Sequence, residues 1–93
     1  MNYAVFLTTR AARELAALPK EVVARIDPRL TDLGTDPRPP GCKKLKLREG
    51  DGWRIRVGDY RVLYRIDDSS RRVLVYRIGH RRRELSSMRY KTR

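Results

Sequence analysis

Arginines recur at alternate positions in the second half of this 93-residue chain, where they could bind phosphate. Within residues 53–66 they are interleaved with apolar residues and stand at Arg54, Arg56, Arg61 and Arg65. Successive side chains of a β-strand point to opposite faces, so this alternation predicts strands with one apolar and one positively charged face. A guanidinium group can donate two parallel hydrogen bonds to a phosphate. We therefore predict a phosphate-binding surface.

The composition is strongly basic, with 23 Lys and Arg against 11 Asp and Glu and a formal net charge of +12. This charge favours a nucleic acid or an acidic protein as partner. The single cysteine, Cys42, excludes an internal disulfide and a Cys-based zinc cluster, and no metal or cofactor is predicted. No apolar run approaches the roughly 20 residues that span a bilayer, and the N-terminus does not resemble a signal peptide. We expect a cytoplasmic protein without membrane contact.

The first half of the chain predicts a strand followed by two helices. Residues 2–7 are apolar and β-favouring, residues 10–18 are rich in helix formers, and residues 19–33 repeat apolar side chains at spacings of three and four. Pro28 should kink the second helix, or else a separate final piece begins there. Gly34 stands where a left-handed C-cap is expected. Together these segments predict an αα-hairpin.

The second half predicts four further strands joined by short turns. The first is a basic strand in which Leu45 and Leu47 alternate with Lys44, Lys46 and Arg48, and the others cover about residues 53–57, 60–67 and 73–79. The fold class is therefore α+β, a small antiparallel sheet in the order β-α-α-β-β-β-β, backed by the αα-hairpin. Residues 1–93 form one domain, and about residues 84–93 are expected to form a short C-terminal helix or tail.

The aromatic residues of the strands follow the apolar phase, which predicts core positions for them. Trp53, Tyr60 and Tyr64 alternate with the arginines in the same phase as the aliphatic residues. Tyr76 is in phase with Leu74 and Ile78 by simple alternation, so it is assigned to the core as well.

Two motifs resemble the RelE/ParE superfamily of toxins from toxin–antitoxin systems. They are GDYRVLYRI at residues 58–66 and VLVYRIGHRR at residues 73–82, and the resemblance extends over residues 2–84. It implies a small sheet backed by two helices. For RelE-like members it implies a metal-independent ribonuclease that cuts mRNA in the ribosomal A site by attack of a 2′-hydroxyl on the adjacent phosphate.

The resemblance also implies roles for individual residues. The basic catalytic positions fall on Arg54, Arg56, Arg61 and Arg81. A C-terminal tyrosine often acts as base or orienting group, and the first tyrosine after the final strand is Tyr90. His80, the only histidine, and Glu84 are alternative proton acceptors. RNA-binding residues are predicted at Lys44, Lys46, Arg65, Arg77, Arg82 and Arg83.

The implied partners are an acidic antitoxin and, in the ribosomal A site, mRNA and ribosomal RNA. The resemblance leaves a second toxin function open, because ParE-like members share the fold and act on DNA gyrase without cutting RNA. A third alternative, carried by the net charge alone, is a plain RNA-binding module.

Overall fold

The order of helices and strands in the computed structural model, which describes residues 2–48 and 50–80, confirms the predicted α+β class. The elements are β1 (Ala4–Leu7), α1 (Thr9–Ala16), α2 (Lys20–Thr35), β2 (Lys43–Leu47), β3 (Gly50–Val57), β4 (Tyr60–Asp67) and β5 (Arg72–His80). The predicted C-terminal helix or tail lies outside the described residues.

All five strands belong to one sheet, in the spatial order β1-β5-β4-β3-β2. Strands β2 to β5 form the predicted antiparallel meander. Strand β1 pairs with β5 in parallel, from Ala4 opposite Arg72 to Leu7 opposite Val75, so the sheet is mixed. The parallel pairing needs a long crossover connection, which the two helices and the meander supply.

The helices begin where the sequence predicts. The side chain of Thr8 caps α1 by accepting a hydrogen bond from the Ala11 amide at 3.1 Å. Pro19 occupies the N-cap position of α2, and α2 continues through Pro28 as one helix, so no separate piece begins there. Among the described residues, no helix is long and apolar enough to cross a membrane.

Gly34 is inside α2, and the prediction that it forms a left-handed C-cap is wrong. The helix ends at Thr35, and Asp36 follows in an extended conformation. A Cβ at Gly34 would lie 2.9 Å from the carbonyl oxygen of Tyr3, whose amide donates to the Gly34 carbonyl. Glycine is needed here because β1 approaches the helix closely.

The core lies between the two helices and one face of the sheet. Helix α2 contributes Ile26, Leu30 and Leu33, and α1 contributes Ala11. The sheet contributes residues of its three central strands, namely Ile55, Val57, Val62, Tyr64, Val73, Val75 and Ile78. Tyr64 is fully buried, and its hydroxyl donates to the Pro37 carbonyl at 2.7 Å. Trp53 and Tyr60 are half-buried against this core, as predicted.

A β-bulge interrupts the pairing of β4 with β5. Leu63 is opposite Arg77, but the next residue, Tyr64, is opposite Val75, so β5 contains one extra residue at Tyr76. A bulge of this kind shifts the alternation of side chains on one strand only.

The bulge changes which residues of β5 face the core. Val75 and Ile78 are three positions apart and both buried in the core, whereas Leu74 is exposed. The hydroxyl of Tyr76 lies 3.0 Å from the position a Cβ would take at Gly52, on the sheet face away from the helices. The prediction that Tyr76 belongs to the core is therefore wrong, because alternation cannot be extended through a bulge.

Candidate nucleic-acid interface

One face of the sheet is turned away from the helices and carries the predicted arginines. We call it the arginine face and define it by the side chains of Arg54, Arg56, Arg61, Leu63 and Arg65. Their neighbours along β3 and β4 point into the core, which fixes the direction of these five. The sequence pattern correctly separated the two faces of these strands.

Strand register arranges the arginine face in two rows across β3, β4 and β5. The first row is Arg54, Leu63 and Arg77, and the second row is Arg56, Arg61 and Gly79. Directly opposite residues in antiparallel strands have Cβ atoms about 4.5–5.5 Å apart. The second row therefore places Arg56 directly beside Arg61, whereas in the first row Leu63 separates Arg54 from Arg77.

The arginines of this face are not uniformly exposed. Arg54 and Arg61 are each 7% exposed and Arg77 is 5% exposed, whereas Arg56 is exposed. Long basic side chains on central strands cover one another and the apolar residue between them, here Leu63. The buried guanidinium groups of Arg54, Arg61 and Arg77 therefore hold positive charge in a partly desolvated part of the arginine face.

Arg54 has the least favourable environment of the set. Its Nε is buried without a hydrogen-bond acceptor, and it makes no ion pair with an acidic residue within the described part of the chain. Burial, and secondarily the charge of Arg56, lowers the pKa of the Arg54 guanidinium. Burying a charge without a partner is costly, so an anion placed here would be stabilised.

Arg77 contacts an acidic residue of α1. Its Nε donates to Glu14 Oε2 at 3.2 Å, and the pair is mostly buried. The predicted RNA-binding role of Arg77 therefore coexists with a structural contact. Arg65 is half-buried on the arginine face, one row further along β4.

Lys44 and Lys46 lie on the other side of the sheet from the arginines. Lys44 is opposite Trp53; its Nζ lies 5.9 Å from the Trp53 ring centroid and 3.2 Å from Asp51 Oδ2. Lys43 instead is opposite Arg54 and shares its face. The structure thus separates Lys44 and Lys46 from the arginine face, whereas the pairing of β2 with β3 places Lys43 on it.

His80 is also separated from the arginines. It is opposite Tyr60, and the two rings meet edge to face with centroids 5.6 Å apart. Tyr60 packs against the core, so His80 lies on the helix side of the sheet, whereas its neighbour Gly79 is opposite Arg61. Arg81, Arg82, Arg83 and Tyr90 lie outside the described residues, and their predicted roles remain predictions.

The residues brought together are thus Lys43, Arg54, Arg56 and Arg61. They can bind an anion and stabilise negative charge, but none is a ready proton acceptor, because arginine stays protonated and lysine carries only donors. Within residues 2–48 and 50–80, no three His, Cys, Asp or Glu side chains are grouped so that they could hold a metal ion.

The chain is similar to known toxins of toxin–antitoxin systems. Residues 5–85 match the family model described as the ParE toxin of the type II toxin–antitoxin system parDE. Toxin RelG of Mycobacterium tuberculosis is 38% identical over 82 residues, which cover 87% of this chain and 93% of RelG.

Solved structures show the same fold. The toxin–antitoxin complex RelBE2 of Mycobacterium tuberculosis contains a chain with 34% identity and a TM-score of 0.77, covering 86% of this chain and 92% of that one. The archaeal RelE–RelB complex of Pyrococcus horikoshii contains one with 27% identity and a TM-score of 0.76, covering 87% and 97%.

Proposed function

The chain belongs to the RelE/ParE superfamily of type II toxins, and we propose that it is a ribosome-dependent endoribonuclease that inhibits translation by cleaving mRNA. The proposed reaction needs no metal ion and takes place in the cytoplasm, on mRNA in the ribosomal A site. Its proposed partners are mRNA and ribosomal RNA during cleavage and an acidic antitoxin when the toxin is held inactive.

The observation that carries this proposal is the buried guanidinium of Arg54. An arginine that is 7% exposed, has no acidic partner among the described residues and lies beside two further arginines is suited to bind an anion. Fixed cations of this kind bind phosphate without the reorganisation that water or a flexible surface would need. The row spacing fits a polyanion better than a single small anion, because the basic groups extend over two rows.

The arrangement suits cleavage through the substrate's own 2′-hydroxyl. That oxygen attacks the adjacent phosphorus while its proton passes to a base, and the bond from phosphorus to the 5′-oxygen breaks. The products are a 2′,3′-cyclic phosphate and a 5′-hydroxyl, which takes up a proton. Negative charge grows on the nonbridging and leaving oxygens, and Arg54, Arg56 and Arg61 are placed to stabilise it.

The proton acceptor is proposed from the sequence. Tyr90, His80 and Glu84 are the candidates, and the position of His80 on the helix side of the sheet argues against His80. The nearby arginine charges would favour the deprotonated form of an acceptor that reaches the arginine face.

The test is expression of the chain in bacteria, followed by mapping of mRNA ends. We expect growth arrest with mRNA cut within codons, and a loss of roughly 10²–10³ in cleavage rate for Arg61→Ala and for Arg81→Ala. Lys46→Gln, which removes one charge from the opposite face, serves as the control and should leave cleavage intact. Arginine variants as toxic as the parent would refute the assignment of these residues.

A second candidate function is inhibition of DNA gyrase without RNA cleavage. It is favoured by the family model that matches residues 5–85, which describes a ParE toxin. A supercoiling assay with purified protein and gyrase separates the two functions. The ribonuclease proposal expects no effect on supercoiling, whereas inhibition together with intact mRNA would establish the second function.

A further inference from the structure

Strand β5 extends well beyond the strand that pairs with its outer edge. The pairing with β1 ends at Leu7 and Val75, but β5 continues to His80. An uncovered strand edge presents backbone groups that need partners. Here one of them, the amide of Ile78, donates to Glu14 Oε1 of α1 at 2.8 Å.

The second oxygen of the same carboxylate contacts side chains. Glu14 Oε2 accepts from Arg77 Nε at 3.2 Å and lies 3.5 Å from Arg10 Nε. The side chain of Arg77 is 6% exposed and that of Glu14 is 22% exposed. Because the pair is largely shielded from water, these contacts are stronger than an ion pair on an open surface. One carboxylate thus holds two consecutive residues of β5.

The two residues held by Glu14 come directly after the extra residue of the bulge. At this point β5 returns to register, with Arg77 opposite Leu63 and Ile78 opposite Val62. A slip by one residue would exchange the two faces of the strand. It would remove Ile78 from the core and replace Gly79 beside Arg61 with a larger neighbour.

We propose that Glu14 is a positioning residue for the site on the arginine face. Its carboxylate holds the outer half of β5 in the register that sets Gly79 beside Arg61, and it does so from the helix side without contacting RNA. This inference rests on the proposed ribonuclease function, since the site it positions is the cleavage site.

The test compares Glu14→Ala, Glu14→Gln and Arg10→Ala in full-length protein. Cleavage of mRNA on ribosomes gives kcat and KM, and amide hydrogen exchange reports on Ile78 and Gly79 directly. Glu14→Ala should lower kcat by roughly 10–100-fold, because misplacement of catalytic groups by about 1 Å is that costly, while KM changes little. Glu14→Gln keeps an oxygen that can accept from the Ile78 amide and should recover most of the loss.

Arg10→Ala is the matched control. It removes the longest contact of Glu14, on an exposed side chain, and should leave kcat and exchange at Ile78 unchanged. In Glu14→Ala, exchange should accelerate at Ile78 and Gly79, with Val62 in the neighbouring strand still protected. Should Glu14→Ala fail to fold, Glu14→Gln decides: kcat and Ile78 protection that are both retained or both lost support the proposal, whereas loss of one without the other contradicts it.

Two failures are distinguishable. Parental kcat in a folded Glu14→Ala protein overturns the positioning role, whereas a wild-type protein that cuts no mRNA overturns the proposed function. In the second case exchange at Ile78 and Gly79 alone decides whether Glu14 fixes the strand.

Discussion

Arg56 and Arg61 are direct cross-strand partners, so two positive charges face each other in the β3–β4 ladder. Like charges in this position destabilise a sheet by roughly 0.2–1 kcal/mol. Arg54, two residues before Arg56, adds a third charge, and a fold optimised for stability alone would place carboxylates here. The proposed function accounts for this cost, because a site that binds RNA phosphates needs clustered positive charge.

We expect Arg56→Gln to stabilise the protein and to impair its activity. Relief of the Arg56–Arg61 repulsion should raise Tm by roughly 2–5 °C in a domain of this size. Loss of a preorganised cation should lower the rate of mRNA cleavage by about 10-fold or more. Thermal unfolding and ribosome-bound cleavage measure the two effects. A variant with lower Tm and parental activity would show that Arg56 has a purely structural role.

We expect the effect of removing a lysine from β2 on RNA binding to depend on the face of the strand that the lysine occupies. Lys43→Gln should weaken binding to mRNA-programmed ribosomes and reduce the slope of log affinity against log salt concentration by about 0.7, the contribution of one phosphate contact on a single strand. Lys46→Gln removes the same charge from the other face and should change neither. Equal effects of the two variants would argue for steering by net charge alone.

Gly34→Ala sets two effects of opposite sign against each other. Alanine in a helix is better than glycine by about 1 kcal/mol. The added Cβ, however, would lie 2.9 Å from the Tyr3 carbonyl oxygen, which belongs to backbone held by a hydrogen bond to Gly34 itself. Overpacking against backbone costs roughly 1–3 kcal/mol, so we expect net destabilisation in chemical unfolding. Thr31→Ala at an exposed position of α2 is the control, and equal stabilisation of both variants would contradict the close approach of β1.

The turn between β4 and β5 should lose its contribution to stability in acid. Asp67 Oδ1 accepts from the Ser69 amide, the Ser69 hydroxyl and the Ser70 amide. The hydrogen bonds from Ser69 and Ser70 lower the pKa of Asp67 to about 2. A folded-state pKa below the ordinary value of about 4 means that the stabilisation is complete above pH 4 and disappears as pH falls to about 2.

Asp67→Asn isolates that contribution. The variant cannot titrate at residue 67, so the difference in Tm between parent and variant should shrink as pH falls from about 4 to about 2. The neighbouring Asp68, whose pKa is lowered chiefly by its hydrogen bond from Arg38, titrates in both proteins and cancels in this comparison. A difference in Tm that stays constant over this interval would contradict the role of Asp67.

Much of the fold could be predicted because the pattern of apolar residues is regular where the structure is regular. The alternation from Trp53 to Ile66 correctly separated core from arginine face, and the helical spacing of Ile26, Leu30 and Leu33 identified the buried side of α2. These two periodicities depend only on which side chains are buried, and the apolar or polar type of each residue indicates that directly.

The features that the sequence did not predict depend on contacts between strands, which the types of single residues do not encode. The bulge inserts Tyr76 without any glycine or proline to mark it, so the phase of β5 was wrong on one side of it. The faces of Lys43, Lys44 and Lys46 follow from pairing with β3 across a short hairpin, and an edge strand with weak alternation leaves that choice open. The burial of Arg54 and Arg61 comes from neighbouring strands, which the sequence of one strand does not show.

The parallel pairing of β1 with β5 has a consequence for how the protein is made. The first strand in chain order finds its hydrogen-bonding partner only after residues 72–75 have left the ribosome. Until then β1 has no neighbouring strand, and α1 and α2 can cover only the part of the sheet that β2 to β4 form, without Val73, Val75 and Ile78 of the core. Contacts so distant in sequence form late and slowly. A newly synthesised chain therefore passes through an interval in which β1 and the two helices are incompletely covered and are available to chaperones, until β5 completes the sheet.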